Sequence, residues 1–178
     1  MKRIFLACFL ISNTIFAQKI YWAEGKKLNW NNFKSRVNNQ RGANVVAYTN
    51  CGWSYSYVKS SNPKAPVKIN IETIFNEDKS WKDDKRINDY VLLHEQKHFD
   101  VAEVFARKLR KETSEKIKTG ADFDKYFKSI YNSILKEYQD FQRAYDGETK
   151  NGMIEEKQSE YNRMIAEELE NYKSFKTS

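Results

Sequence analysis

The hydrophobic period of this chain changes once, near Ser80, and that change limits the folds open to it. From Tyr21 to Phe75 the sequence is rich in aromatic and β-branched residues, Asn and Ser. Val45–Thr49 and Trp53–Val58 read as strands, the second with period-two alternation. A loop follows at Ser60–Pro66, where two prolines break any regular element. Val67, Ile69 and Ile71 then alternate with Lys68 and Asn70, the pattern of a half-buried strand. After Ser80 the apolar spacing becomes threes and fours. Ser80 with Asp83 predicts a capped helix from about Trp81 or later to Lys118, interrupted near Asp89, with Gly120 at its C-terminus. A second helix capped by Asp122 carries Phe123, Phe127, Ile130, Ile134, Phe141 and Tyr145 on one face, and a break is expected at Gly147 and Gly152. A third helix presents Ile154, Tyr161, Ile165, Leu169 and Tyr172. Strands first and helices after give an α+β class: a small N-terminal antiparallel sheet followed by about three long helices.

The N-terminus is read separately. Lys2 and Arg3 precede a mostly apolar run from Ile4 to Phe16, and Ala17-Gln18 suits cleavage. The run is short for a membrane span, so residues 1–17 are expected to be a signal peptide and 18–178 a single domain that is secreted or periplasmic, with no stable membrane insertion after cleavage. Cys8 falls within the leader, which leaves Cys51 as the one cysteine of the mature chain and excludes an internal disulfide. Cys51 can pair between chains, act as a soft ligand, or serve as a small buried hydrophobe; its strand-like setting favours the last. The formal net charge of +7 is spread among acids, as where Lys108, Arg110 and Lys111 sit beside Glu112 and Glu115. Such mixing describes a solvated helix face and argues against a nucleic-acid partner.

The chain contains two histidines, and both lie in His94-Glu95-Gln96-Lys97-His98, an H-E-x-x-H pattern within the first helix. At about 100° per residue, His98 falls about 40° from His94, Val101 and Phe105 flank them, and Glu95 stands about 100° away. Lys97, Asp100, Glu103 and Arg107 lie on the opposite side, between about 180° and 300°. The imidazoles therefore point where the apolar stripe points, and two of them one turn apart can ligate one zinc ion. A glutamate beside the first histidine is placed to take a proton from water that the metal acidifies and to pass it to a leaving amine. Catalytic zinc takes three protein ligands, and no histidine remains for the third. Asp100 and Glu103 face away. The candidates are Asp146 and Glu148, in a glycine-flanked stretch from Tyr145 to Gly152 that could fold back over the first helix or simply cap an interhelical turn. Tyr145 could donate to a developing oxyanion, but its apolar register favours the core.

These residues carry a family resemblance. Leu28-Asn29-Trp30-Asn31-Asn32-Phe33, Ala47-Tyr48-Thr49, Ser80-Trp81, Leu93 to Asp100 with Ala106-Arg107 beyond, and Tyr145-Asp146 with Thr149 and Gln158 resemble a family of bacterial secreted proteins, grouped as a domain of unknown function and described as predicted zinc-dependent proteases. The resemblance runs from about Leu28 to Tyr161 and rests on the extended H-E-Q-x-H-F-D string. It implies a zincin-like helix in which His94 and His98 bind zinc and Glu95 is catalytic. In the family pattern the Tyr-Asp element ends in His-Gly, whereas this chain has Asn151-Gly152. Asn is a poor zinc ligand, so either Asp146 or Glu148 substitutes or the site is crippled. The expected function is an exported zinc metallopeptidase acting on a peptide or related amide. The alternative is a non-catalytic metal-binding structural or interaction module of the cell envelope.

Overall fold

Alternation along one nine-residue strand organises the first half of the molecule, as seen in a computed structural model that describes residues 18–38 and 45–177. The expected leader, residues 1–17, lies outside the described residues. Strand β4 (Lys68–Asn76) turns Ile71, Thr73 and Phe75 inward, with Ile69 partly covered, and leaves Lys68 and Asn70 in solvent. It is the centre of a three-stranded antiparallel sheet, flanked by β1 (Lys19–Tyr21) and β3 (Cys51–Val58). The β3–β4 register runs from Cys51 opposite Phe75 to Val58 opposite Lys68. A second, two-stranded ribbon joins β2 (Ala47–Tyr48) to β5 (Trp81–Lys82). Three helices follow: α1 (Asp89–Lys116), α2 (Gly120–Thr149) and α3 (Glu155–Asn171). The class is α+β, as the sequence predicts.

Three helix boundaries depart from expectation. Ser80 does not cap a helix: its Oγ donates to the Asn76 carbonyl at 2.7 Å and accepts from the Asn50 amide at 2.9 Å. Trp81-Lys82 becomes strand because Tyr48 and Ala47 pair with it. Asp83 makes a turn, accepting from the Lys85 amide and pairing with Arg86, and α1 starts at Asn88, whose side chain accepts from the Val91 amide at 2.9 Å. At the second boundary Thr119 is the cap, and Asp122, three residues later, completes a capping box. Gly120 is accordingly the first residue of α2. Finally, α2 passes through Gly147 and ends at Thr149, with Lys150 in the left-handed conformation.

Helix α1 is covered on both faces. Val101, Val104, Phe105 and Leu109 join Ile71 of the sheet, Ile134 and Tyr145 of α2, and Tyr161 and Ile165 of α3 in the main core. Phe99 packs with Phe75, Phe33 and Leu28 in a second cluster. The side expected to be polar and opposite the histidines is also buried: Asp100, Glu103 and Arg107 are each no more than 3% exposed. Burial of charge requires partners, and each has them. Glu103 accepts from Thr73 Oγ1 at 2.6 Å, Arg107 Nε at 2.8 Å and Arg110 Nη1 at 3.0 Å. Arg107 and Arg110 also donate to the carbonyls of Leu169 and Phe175, tying the C-terminal segment to α1. Asp100 accepts from Trp22 Nε1 at 3.0 Å and Gln96 Nε2 at 2.8 Å, while Gln96 Oε1 accepts from the Leu28 amide at 2.8 Å. The Gln, Phe and Asp of the H-E-Q-x-H-F-D string thus fasten the N-terminal segment to the helix.

Removing Glu103 would leave Arg107 buried without its counter-charge. Glu103→Ala is expected to destabilise the domain by about 3–5 kcal/mol in chemical denaturation. A loss under about 1 kcal/mol, the range of exposed ion pairs, would show that the cluster does not hold the helix.

Candidate metal centre

One turn of α1 and the last turns of α2 meet at the histidines. His94 is 3% exposed, and the side chain of His98 is 12% exposed. Tyr145 of α2 is fully buried and stacks on the His94 ring, with centroids 4.6 Å apart and planes at 20°. Its hydroxyl donates to the His94 carbonyl at 3.2 Å, so Tyr145 belongs to the packing of the site, as its register predicts. Asp146, next in sequence, reaches past it. Its Oδ1 stands 3.0 Å from His98 Nε2 and 3.3 Å from His94 Nε2, and the two Nε2 atoms are 3.2 Å apart. After α2 the chain doubles back through Lys150, Asn151 and Gly152, all at positive φ. Gly152 lies against the His94 ring, where a Cβ would approach it to 3.2 Å at a φ of +84°, so both space and backbone require glycine there.

Three lone-pair atoms therefore converge. Donors bound at about 2.0–2.1 Å around tetrahedral zinc stand about 3.3 Å from one another, which the three observed separations approach. His94, His98 and Asp146 form a group that could hold a metal ion. Glu148, the other carboxylate expected as a candidate, is exposed, outside this group and turned toward Tyr161. Asp100 and Glu103 lie across the helix in the contacts already described. Cys51 is not a member either: it is half-buried, its Sγ lies 3.3 Å from the His98 carbonyl and 3.6 Å from Tyr138 Oη, and desolvation pushes the thiol up to about 12.

A cleft of about 860 Å³ opens on the group. Val45–Thr49 lines it on the way into β2, together with Val91, Tyr138, Arg143 and Asn151. Glu95 lines it as well. The Glu95 residue is 4% exposed, and its Oε2 is buried with no hydrogen-bond partner. A buried carboxylate oxygen without a donor is costly, and here it sits beside the convergent ligands.

The roles of two glutamines were not read from sequence. Gln158 Oε1 lies 2.9 Å from His94 Nδ1, and Gln142 Oε1 is within hydrogen-bond distance of His98 Nδ1. The signal was present: Gln158 occupies the apolar stripe of α3 between Ile154 and Tyr161, and Gln142 lies one turn before Asp146.

The fold and the group together define an α+β domain with a histidine–aspartate site able to take a metal. The chain belongs to the family described as a bacterial protein of unknown function, DUF922, whose model matches residues 23–152 and so includes His94, His98 and Asp146. No curated protein and no solved structure matches the chain.

In the metal-free protein the group holds a proton. Burial works against charge on His98, but the Asp146 carboxylate outweighs it and raises the imidazole to about 9. Burial likewise opposes charge on Asp146, yet the two imidazoles hold its carboxyl well below the usual range. The stabilisation from a raised His98 is complete below the ordinary histidine value of about 6.5 and fades as pH climbs to about 9;. On the acid side it is lost as pH falls through the depressed Asp146 value. Loading a divalent ion at pH 7 should therefore release about one proton per ion, read by calorimetry in buffers of different ionisation enthalpy. A heat independent of buffer at pH 7 would contradict a protonated His98.

Proposed function

We propose that this chain is an exported zinc-dependent metallopeptidase hydrolysing peptide or related amide bonds. The observation that carries the reading is the unpartnered Oε2 of Glu95, a residue that lines the same cleft as His94, His98 and Asp146. Two imidazoles and a carboxylate suit zinc, while magnesium and calcium favour all-oxygen sets. The group supplies three protein ligands, the number that leaves zinc an open position, whereas a closed structural site takes four. This favours a reactive centre over a purely structural one.

When bound, the ion acidifies water and polarises a carbonyl. Glu95 would take the proton from the attacking water at Oε2 and deliver it to the leaving nitrogen. His94, His98 and Asp146 hold the ion, and Tyr145 keeps the His94 backbone in place. The Lys2-Arg3 start and the apolar run after it support export.

Glu95→Gln is expected to leave zinc content unchanged and to lower hydrolysis of a peptide library by at least about a hundredfold, the scale of a lost general base. Asp146→Ala should lose the zinc itself. Full hydrolysis by Glu95→Gln, or full zinc occupancy after Asp146→Ala, would overturn these assignments.

A further inference from the structure

Hydrogen-bond directions around the two rings can be assigned from groups that have only one role. A backbone carbonyl can only accept. The His94 carbonyl is 3.2 Å from Tyr145 Oη, so the tyrosine hydroxyl must donate there. With its proton used, Tyr145 Oη accepts from Gln158 Nε2 at 2.7 Å. The Gln158 amide is thereby oriented, and its Oε1 faces His94 Nδ1 at 2.9 Å. An amide oxygen can only accept, so His94 carries its proton on Nδ1. The circuit begins at the backbone of His94 and ends on its own ring.

His98 repeats the device with one amide. Gln142 Nε2 donates to the His98 carbonyl at 3.0 Å, which turns Gln142 Oε1 toward His98 Nδ1. Each histidine is thus bridged from its own carbonyl to its own Nδ1, His98 by Gln142 alone and His94 by Gln158 together with Tyr145. Gln158 is 1% exposed, so water does not compete for its amide.

We infer that Gln142 and Gln158 are positioning residues that hold a proton on Nδ1 of each imidazole, so that each ring, once neutral, is the Nδ1–H tautomer with Nε2, the nitrogen facing Asp146, left to take an ion. The inference deepens the metal-site reading and rests on it only for its consequence on affinity. A free imidazole would have to select both rotamer and tautomer on binding. Here packing and two amides have already done so, which removes an ordering cost from association. Neutral amides achieve this without adding a second negative charge beside Asp146.

The test is histidine tautomer assignment by ¹⁵N–¹H correlation spectroscopy on the metal-free protein at a pH high enough for both rings to be neutral, paired with zinc titration. Both rings should show protonated Nδ1 and bare Nε2; an Nε2–H ring in the unaltered protein would overturn the inference. Gln158→Leu should release His94 from that tautomer and weaken zinc binding about 10–100-fold. Gln142→Leu does the same for His98 and reads the effect at a less buried position. Gln158→Glu keeps an acceptor opposite Nδ1, with the Tyr145 hydroxyl free to turn toward it, and should retain the tautomer. Unchanged tautomers in both leucine variants, or zinc affinity within twofold of the parent, would refute a positioning role. Failure of the parent protein to bind zinc would instead defeat the metal reading and leave the tautomer result standing.

Discussion

Glu103, at the middle of α1, accepts from a threonine of the sheet and from two arginines of its own helix. Those arginines reach on to carbonyls of Leu169, Ile71 and Phe175. This buried cluster fixes the rotation of α1 about its axis. A wholly apolar helix face can slide or turn by a fraction of a residue at little cost, but a charge network with directed donors cannot. Since buried ion pairs often add little net stability, its contribution is one of register, and the histidines on the other side depend on it.

With α1 fixed, the site follows from how α2 ends. Tyr145 fills the space beneath the His94 ring, and its neighbour Asp146 is carried to both Nε2 atoms. The left-handed turn through Gly152 closes against the His94 ring. The result is three acceptors with no donor among them once both imidazoles are neutral. Such an arrangement is repulsive until a positive charge enters, either a proton on His98 or a metal ion. Glu95 adds a further unsatisfied acceptor at the cleft. Charge organised in this way favours a bound cation, whether a proton or a metal ion, a local conflict of the kind expected where a fold serves chemistry.

The parts legible in the sequence were those set by local rules. Period-two alternation at Ile69 and Ile71 gave the strand, threes and fours gave the helices, and the 100° turn placed His94 and His98 together. Asp146 could be narrowed to one of two carboxylates because the chain has no other histidine, but only packing separates it from Glu148. What failed was set by distant partners. Trp81 became strand because Tyr48, far upstream, pairs with it, although Ser80 and Asp83 satisfy a capping pattern. The polar side of α1 was assigned correctly by angle, yet nothing local reveals that Trp22, Leu28 and Thr73 would cover it. Gln158 enters the sequence reading only through the family resemblance and Gln142 not at all, because the role of a glutamine on a helix shows only when a histidine ring lies opposite.

The central claim is that His94, His98 and Asp146 together take a zinc ion. Zinc-edge X-ray absorption on the loaded protein tests this most directly. The account predicts only nitrogen and oxygen neighbours at about 2.0–2.1 Å, with the outer scattering of two imidazole rings, and loss of that spectrum in His98→Ala. A sulfur neighbour at about 2.3 Å, or a spectrum without imidazole scattering, would contradict it.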